Sequence, residues 1–136
     1  MNDKKSSKLR GKKAKVLRDD ANPSRILRNL GDNEVFYFYY SIGKPAGESA
    51  RSLADFADKT KIVKLDTLVF HKHRNDFKNW IFHTIGDKKL AATIGKIRFN
   101  DERLRAAIVG AIENRMQELK QSTLIFQVQD GIVITN

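Results

Sequence analysis

A chain of 136 residues, 40% hydrophobic and 31% charged, is long enough to bury one real core and ordinary in balance for a globular protein. It has no cysteine, which excludes a disulfide framework, a thiol nucleophile and a zinc–thiolate site, and no apolar run approaches the ~20 residues that span a bilayer. Its net charge of +10 is unevenly placed: within residues 1–18 the cations Lys4, Lys5, Lys8, Arg10, Lys12, Lys13, Lys15 and Arg18 face Asp3 alone, a net of +7.

Residues 1–20 are accordingly read as a basic, disordered arm and residues 21–136 as a single globular domain. The charged N-terminus lacks the apolar core of a signal peptide, so a soluble, cytoplasmic protein is expected, with nucleoid or ribosome association compatible with its charge. A Lys/Arg arm suits a polyanion by counterion release, and nucleic acid is the commonest such partner. An anionic membrane suits it less, because the arm has almost no large apolar residue to insert. The alternative is a solubilising tail.

A short helix follows. Asn22 is a good N-cap, Pro23 suits the first helical position and Gly31 suits the C′ position. Ile26, Leu27 and Leu30 form its apolar side, and Arg25 and Arg28 extend the basic surface. Glu34–Ile42 is the clearest strand, with five consecutive aromatics from Phe36 to Tyr40. Val35, Tyr37 and Tyr39 alternate with Phe36, Phe38 and Tyr40. Bulk on both faces predicts a strand covered on both sides; the alternative is a base-stacking platform centred on Tyr37 and Tyr39. Gly43–Ser49 reads as a loop from its Gly and Pro content, and it lacks the G-K-[ST] ending of a phosphate loop.

Ser52 is placed to cap a helix with Leu53, Phe56, Ala57 and Thr60 on one face, and Asp66 to cap the next. Phe77, Trp80, Ile81, Thr84 and Ile85 then recur at helical spacing. Asn75 and Asp76 stand at the helix start, and Gly86 fits its C′ position. Asp87 can cap a further helix carrying Leu90, Ala91, Ile94 and Ile97; Lys88, Lys89, Lys96 and Arg98 place positive charge around it, which with Lys72, Arg74 and Lys78 extends the arm's surface or is a solvated helix face. The two helices around Gly86–Asp87 invite a helix-turn-helix reading, but Asp101 falls where its apolar anchor belongs. The longest helix is predicted for Asp101–Lys120, with Leu104, Ile108, Ile112, Met116 and Leu119 as its stripe, an Asp101–Arg105 pair, and Gly110 marking close packing or a weak point. Thr123–Gln129, Asp130-Gly131 and Ile132–Thr135 read as a C-terminal hairpin.

Taken together, EVFYFYYSIG, SARSLADF, FHKHRNDFKNWI and IGDKKLA resemble a largely archaeal family, domain of unknown function family 5752, over about Glu34 to Ile97. Carried over by position, the resemblance marks Ser52, Leu53, Phe70, His71, Asp76, Phe77, Trp80, Ile81, Gly86, Asp87, Leu90 and Ala91. It implies a small helix-rich domain and no activity, and it leaves the arm and the C-terminal hairpin outside.

His71, His73, Asp76 and His83 are the only metal-like set. The His₂–carboxylate reading competes with a structural one, in which Asp76 caps a helix and receives a hydrogen bond from His71. The expectation is no metal and no cofactor. Nothing converges on a reaction, so no enzyme is expected. The fold expected is α+β: a small, mainly antiparallel sheet, made by the aromatic strand and the C-terminal hairpin, packed on four or five helices. The function expected is sequence-tolerant binding of DNA, RNA or ribonucleoprotein through the arm, supported by Arg25, Arg28, Lys88 and Lys89. The alternative is a protein-interaction or regulatory module using the Phe70–Ile97 motif.

Overall fold

The computed structural model describes residues 20–129, with side chains described through residue 122. The order of elements is α1 (Pro23–Ile26), β1 (Phe36–Ser41), β2 (Lys44–Ala50), α2 (Leu53–Ile62), α3 (Leu65–His73), α4 (Asp76–Trp80), a π turn (Ile81–Ile85), α5 (Lys88–Gly95) and α6 (Glu102–Gln129). The class is α+β, with one two-stranded antiparallel sheet among the described residues. The arm lies outside the described residues.

The sheet is not built as the sequence suggested. The partner of the aromatic strand is Lys44–Ala50, the stretch read as a loop. Its Gly and Pro residues serve an irregular hairpin. The register steps from Tyr37↔Ser49 to Tyr39↔Pro45, so β2 carries extra residues opposite Phe38. Gly47 absorbs the bulge at φ +89, a conformation that glycine reaches cheaply. Thr123–Gln129 is not a strand; it continues α6. No breaker separates it from the helix-forming run before it, and each residue added to a helix gains one hydrogen bond. Asp130-Gly131 and Ile132–Thr135 lie outside the described residues.

β1 is covered on one side rather than both. Phe36 and Phe38 enter the core, while Tyr37 and Tyr40 are half exposed. Phe38 stacks on Phe56 with ring centroids 5.5 Å apart, and Phe36 meets Phe77 and Trp80 at 5.4 and 5.3 Å. Burying each such ring stabilises the fold by about 1.5–3 kcal/mol. Ile81, Ile85, Leu90 and Ile94 continue this core towards Leu104, Ile108 and Ile112 of α6.

Local signals held at several ends and failed at others. Asn22 accepts the Arg25 N–H, Ser52 accepts the Asp55 N–H and Asp87 accepts the Leu90 N–H, each as an N-cap. Helix α1 stops at Ile26, and Gly31 serves a turn whose carbonyl accepts the Glu34 N–H. Lys64, not Asp66, occupies the N-cap of α3, and Asp66 sits in its first turn, where a carboxylate favours the helix dipole. The Asp101–Arg105 pair does not form. Asp101 binds Arg103 at 2.7 Å, whereas Arg105 binds Glu102 and the Thr60 and Val63 carbonyls. Those carbonyls belong to the C-terminal end of α2, which Arg105 ties to α6.

Candidate nucleic-acid interface

Three short elements, α3, α4 and the edge of β1, assemble around His71. Asn75 lies between the two helices at φ +60, a left-handed conformation that Asn tolerates better than most residues. The reversal brings Asp76 back to α3. His71 Nδ1–H donates to Asp76 Oδ2 at 2.9 Å, and His71 Nε2 accepts the Tyr39 backbone N–H at 2.8 Å. An acceptor nitrogen carries no proton, so the ring is neutral with its hydrogen on Nδ1. Burial lowers the His71 pKa, against the opposing pull of Asp76. The His71–Asp76 bond matches the structural reading of the sequence. The cap does not, because Asp76 is the first helical residue and Asn75 the N-cap.

The four metal-like residues do not converge. His73 faces Asn100 at 3.2 Å, and exposed His83 packs edge-on against Phe82. Among the described residues no group of three or more carboxylate and imidazole side chains is placed to hold a metal.

Beside His71, an open groove of about 570 Å³ runs along the edge of β1. Tyr37 and Tyr39 line it from the strand; Phe70 of α3 and Arg74, the residue that caps its end, line it next; Asn79 and Trp80 line it from α4. Trp80 is nearly buried, and its indole N–H donates to the Glu34 carbonyl at 2.9 Å. The Arg74 guanidinium sits 5.3 Å from the Phe70 ring centroid, and its Nε donates to Asp76 at 3.0 Å. Asp76 is thereby balanced, and the groove presents no unpaired carboxylate.

A group of cations meets at the C-terminal end of α5. Lys78, the neighbour of Asn79, lies over Gly95, where an added Cβ would meet Lys78 Cδ at 3.0 Å. Arg98 donates to the Gly95 carbonyl at 2.6 Å. Lys72 of α3 completes the group: its pKa is lowered, first by burial and then by the charges of Arg98 and Lys78.

Of the basic residues singled out from sequence in the folded part, Arg25, Arg28 and Lys89 contact other parts of the protein. Arg28 donates to the Thr84 carbonyl at 2.9 Å and to Glu34 at 3.1 Å. The Arg25 guanidinium lies over Gly86, whose φ of +89 closes the π turn. Lys89 pairs with Glu118 at 3.2 Å, and Lys88 is exposed. Lys4, Lys5, Lys8, Arg10, Lys12, Lys13, Lys15 and Arg18 lie outside the described residues. The family-motif residues Phe77, Trp80 and Ile81 are core, while Phe70 lines the groove. Asp87 forms a buried pair with Arg115 at 2.7 Å. The sequence reading missed Arg115.

A family model described as a family of unknown function (DUF5752) matches residues 33–130. The match reaches beyond the Ile97 limit suggested by the motifs and takes in α6. No curated protein and no solved structure matches the chain.

Proposed function

We propose, from the premise that the chain belongs to the DUF5752 family and that the family brings no assigned activity with it, that this protein binds nucleic acid with little sequence preference. The observation that carries the reading is the cluster of Lys72, Lys78 and Arg98. Like charges brought together are unfavourable unless an anion relieves them: Lys78 lies over Gly95, whose carbonyl holds Arg98, and the Lys72 pKa is lowered first by burial and then by the charges of Arg98 and Lys78. Phosphates supply that anion, and the eight cations of residues 1–18 would extend the contact along a backbone. The helical Phe70–Ile97 motif buries Phe77, Trp80, Ile81, Ile85, Leu90 and Ile94 in the protein's own core. Within that motif Phe82 is the large apolar side chain left exposed, a small surface for a protein partner, which favours the nucleic-acid reading.

Phosphate contact gives affinity without reading bases. The test is a salt series with the full-length chain and a variant lacking residues 1–19, on single-stranded and duplex DNA and on structured RNA. The reading expects log K to fall linearly with log salt for the full chain and the slope to flatten on deletion, with residual binding from the folded part. An absence of binding at low salt to all of these would refute it.

A further inference from the structure

We propose that the groove between β1 and the α3–α4 reversal seats an unpaired nucleobase, which makes the protein a binder of single strands rather than of duplex. This deepens the reading above and rests on it. The aromatic strand sends Phe36 and Phe38 into the core, and the groove is lined by Tyr37 and Tyr39 together with the edge of Phe36. Phe70 and the Arg74 guanidinium, which lies 5.3 Å from the Phe70 ring centroid, line it too and add a flat surface on which a base stacks irrespective of its identity. Nearly buried Trp80 lies at the floor. The groove's volume falls within the range of small-molecule sites, roughly 300–1,000 Å³, and admits a nucleotide.

The polar groups suit the same occupant. Exposed Asn79 lines the groove, and an amide both donates and accepts, which suits the edge of any base. Arg74 contacts Asp76 through Nε, so its terminal amino groups remain to meet a phosphate. An added peptide strand fits less well. It would need the outward N–H groups of β1, and His71 already holds that of Tyr39.

The experiment titrates the full-length chain with oligothymidylate, with a duplex of equal length, with inorganic polyphosphate and with oligoglutamate. Trp80 is the only tryptophan, so its emission reports on the groove. The proposal expects quenching by oligothymidylate and little by polyphosphate. Tyr37→Ala, at an exposed position that leaves the core intact, should weaken oligothymidylate binding by about 5- to 160-fold, the range for one stacked base, with polyphosphate affinity unchanged. Asn79→Ala should weaken it less. Equal binding of oligothymidylate and polyphosphate with both variants indifferent overturns the groove assignment and leaves the polyanion reading standing. Tighter binding of duplex overturns it as well. Quenching by oligoglutamate alone overturns it in favour of a polypeptide, and binding of none of the four overturns both readings.

Discussion

Arg115, midway along α6, closes a two-pronged ion pair on Asp87, with Nε to Oδ2 at 2.7 Å and Nη2 to Oδ1 at 3.1 Å. Both side chains are almost wholly withdrawn from water. Asp87 also caps α5, so one carboxylate fixes the start of that helix and its seat on α6. Removing one member leaves a buried charge behind, which typically costs about 3–5 kcal/mol. Arg115→Ala should destabilise the protein by about that much in urea unfolding. The double variant Asp87→Asn, Arg115→Met should recover part of the loss, because it leaves no orphaned charge. A loss below about 1 kcal/mol for Arg115→Ala would show that the pair is not what joins α5 to α6.

His71 makes stability depend on pH. Its folded-state pKa lies below the ordinary value of 6.5, so between the two the unfolded chain binds more protons. Stability therefore rises with pH through this window and falls as pH drops below about 6.5. Protonation would also put a hydrogen on Nε2 and break the bond to Tyr39. Melting temperature measured from pH 7.5 down to 5.5 should decline, and His71→Gln should flatten that decline. Gln keeps an acceptor for the Tyr39 N–H and does not titrate. A wild-type profile as flat as that of the variant would refute the assignment.

Two glycines should respond in opposite directions. At Gly110 in α6 a Cβ meets nothing within 4 Å, so the position is a weak point and not a close contact. Gly110→Ala should stabilise by about 0.5–1 kcal/mol. Gly86→Ala should destabilise by about 1 kcal/mol or more, because φ is +89 and the Arg25 guanidinium lies about 3.0 Å from the new Cβ. Thermal unfolding of the two variants reads both signs.

Asp101 should titrate at about 2, held down chiefly by its hydrogen bonds from Arg103. Carboxyl chemical shifts followed by NMR would show it, and Arg103→Ala should return the value towards 3.8. An unchanged value in the variant would exclude Arg103 as the cause.

The parts of this fold legible in the sequence were those governed by neighbours in the chain. Asn22, Ser52 and Asp87 cap helices because a short polar side chain reaches an N–H three residues on. The stripe from Leu104 to Leu119 is core because helical spacing puts it on one face. What escaped was set by distant or competing groups. Arg115 and Asp87 are 28 positions apart; the available sign was a lone cation three residues beyond Ile112, on an otherwise apolar stripe. The second strand was hidden by the Pro and Gly residues that its bulge requires. The groove had a signal too, since phenol hydroxyls favour water: Phe36 and Phe38 point in, while Tyr37 stays exposed. Arg25 and Arg28 counted as surface charge, but the carbonyls and Gly86 at the end of the π turn engage them.

The most direct test of the central claim is to titrate the full-length chain carrying Lys72→Gln, Lys78→Gln and Arg98→Gln with oligothymidylate across a salt series. With the arm intact, the account predicts weaker binding and a log K–log salt slope shallower by about 2, the expectation for three lost phosphate contacts on a single strand. An unchanged affinity and slope would contradict it, because the folded part would then take no share in holding the nucleic acid.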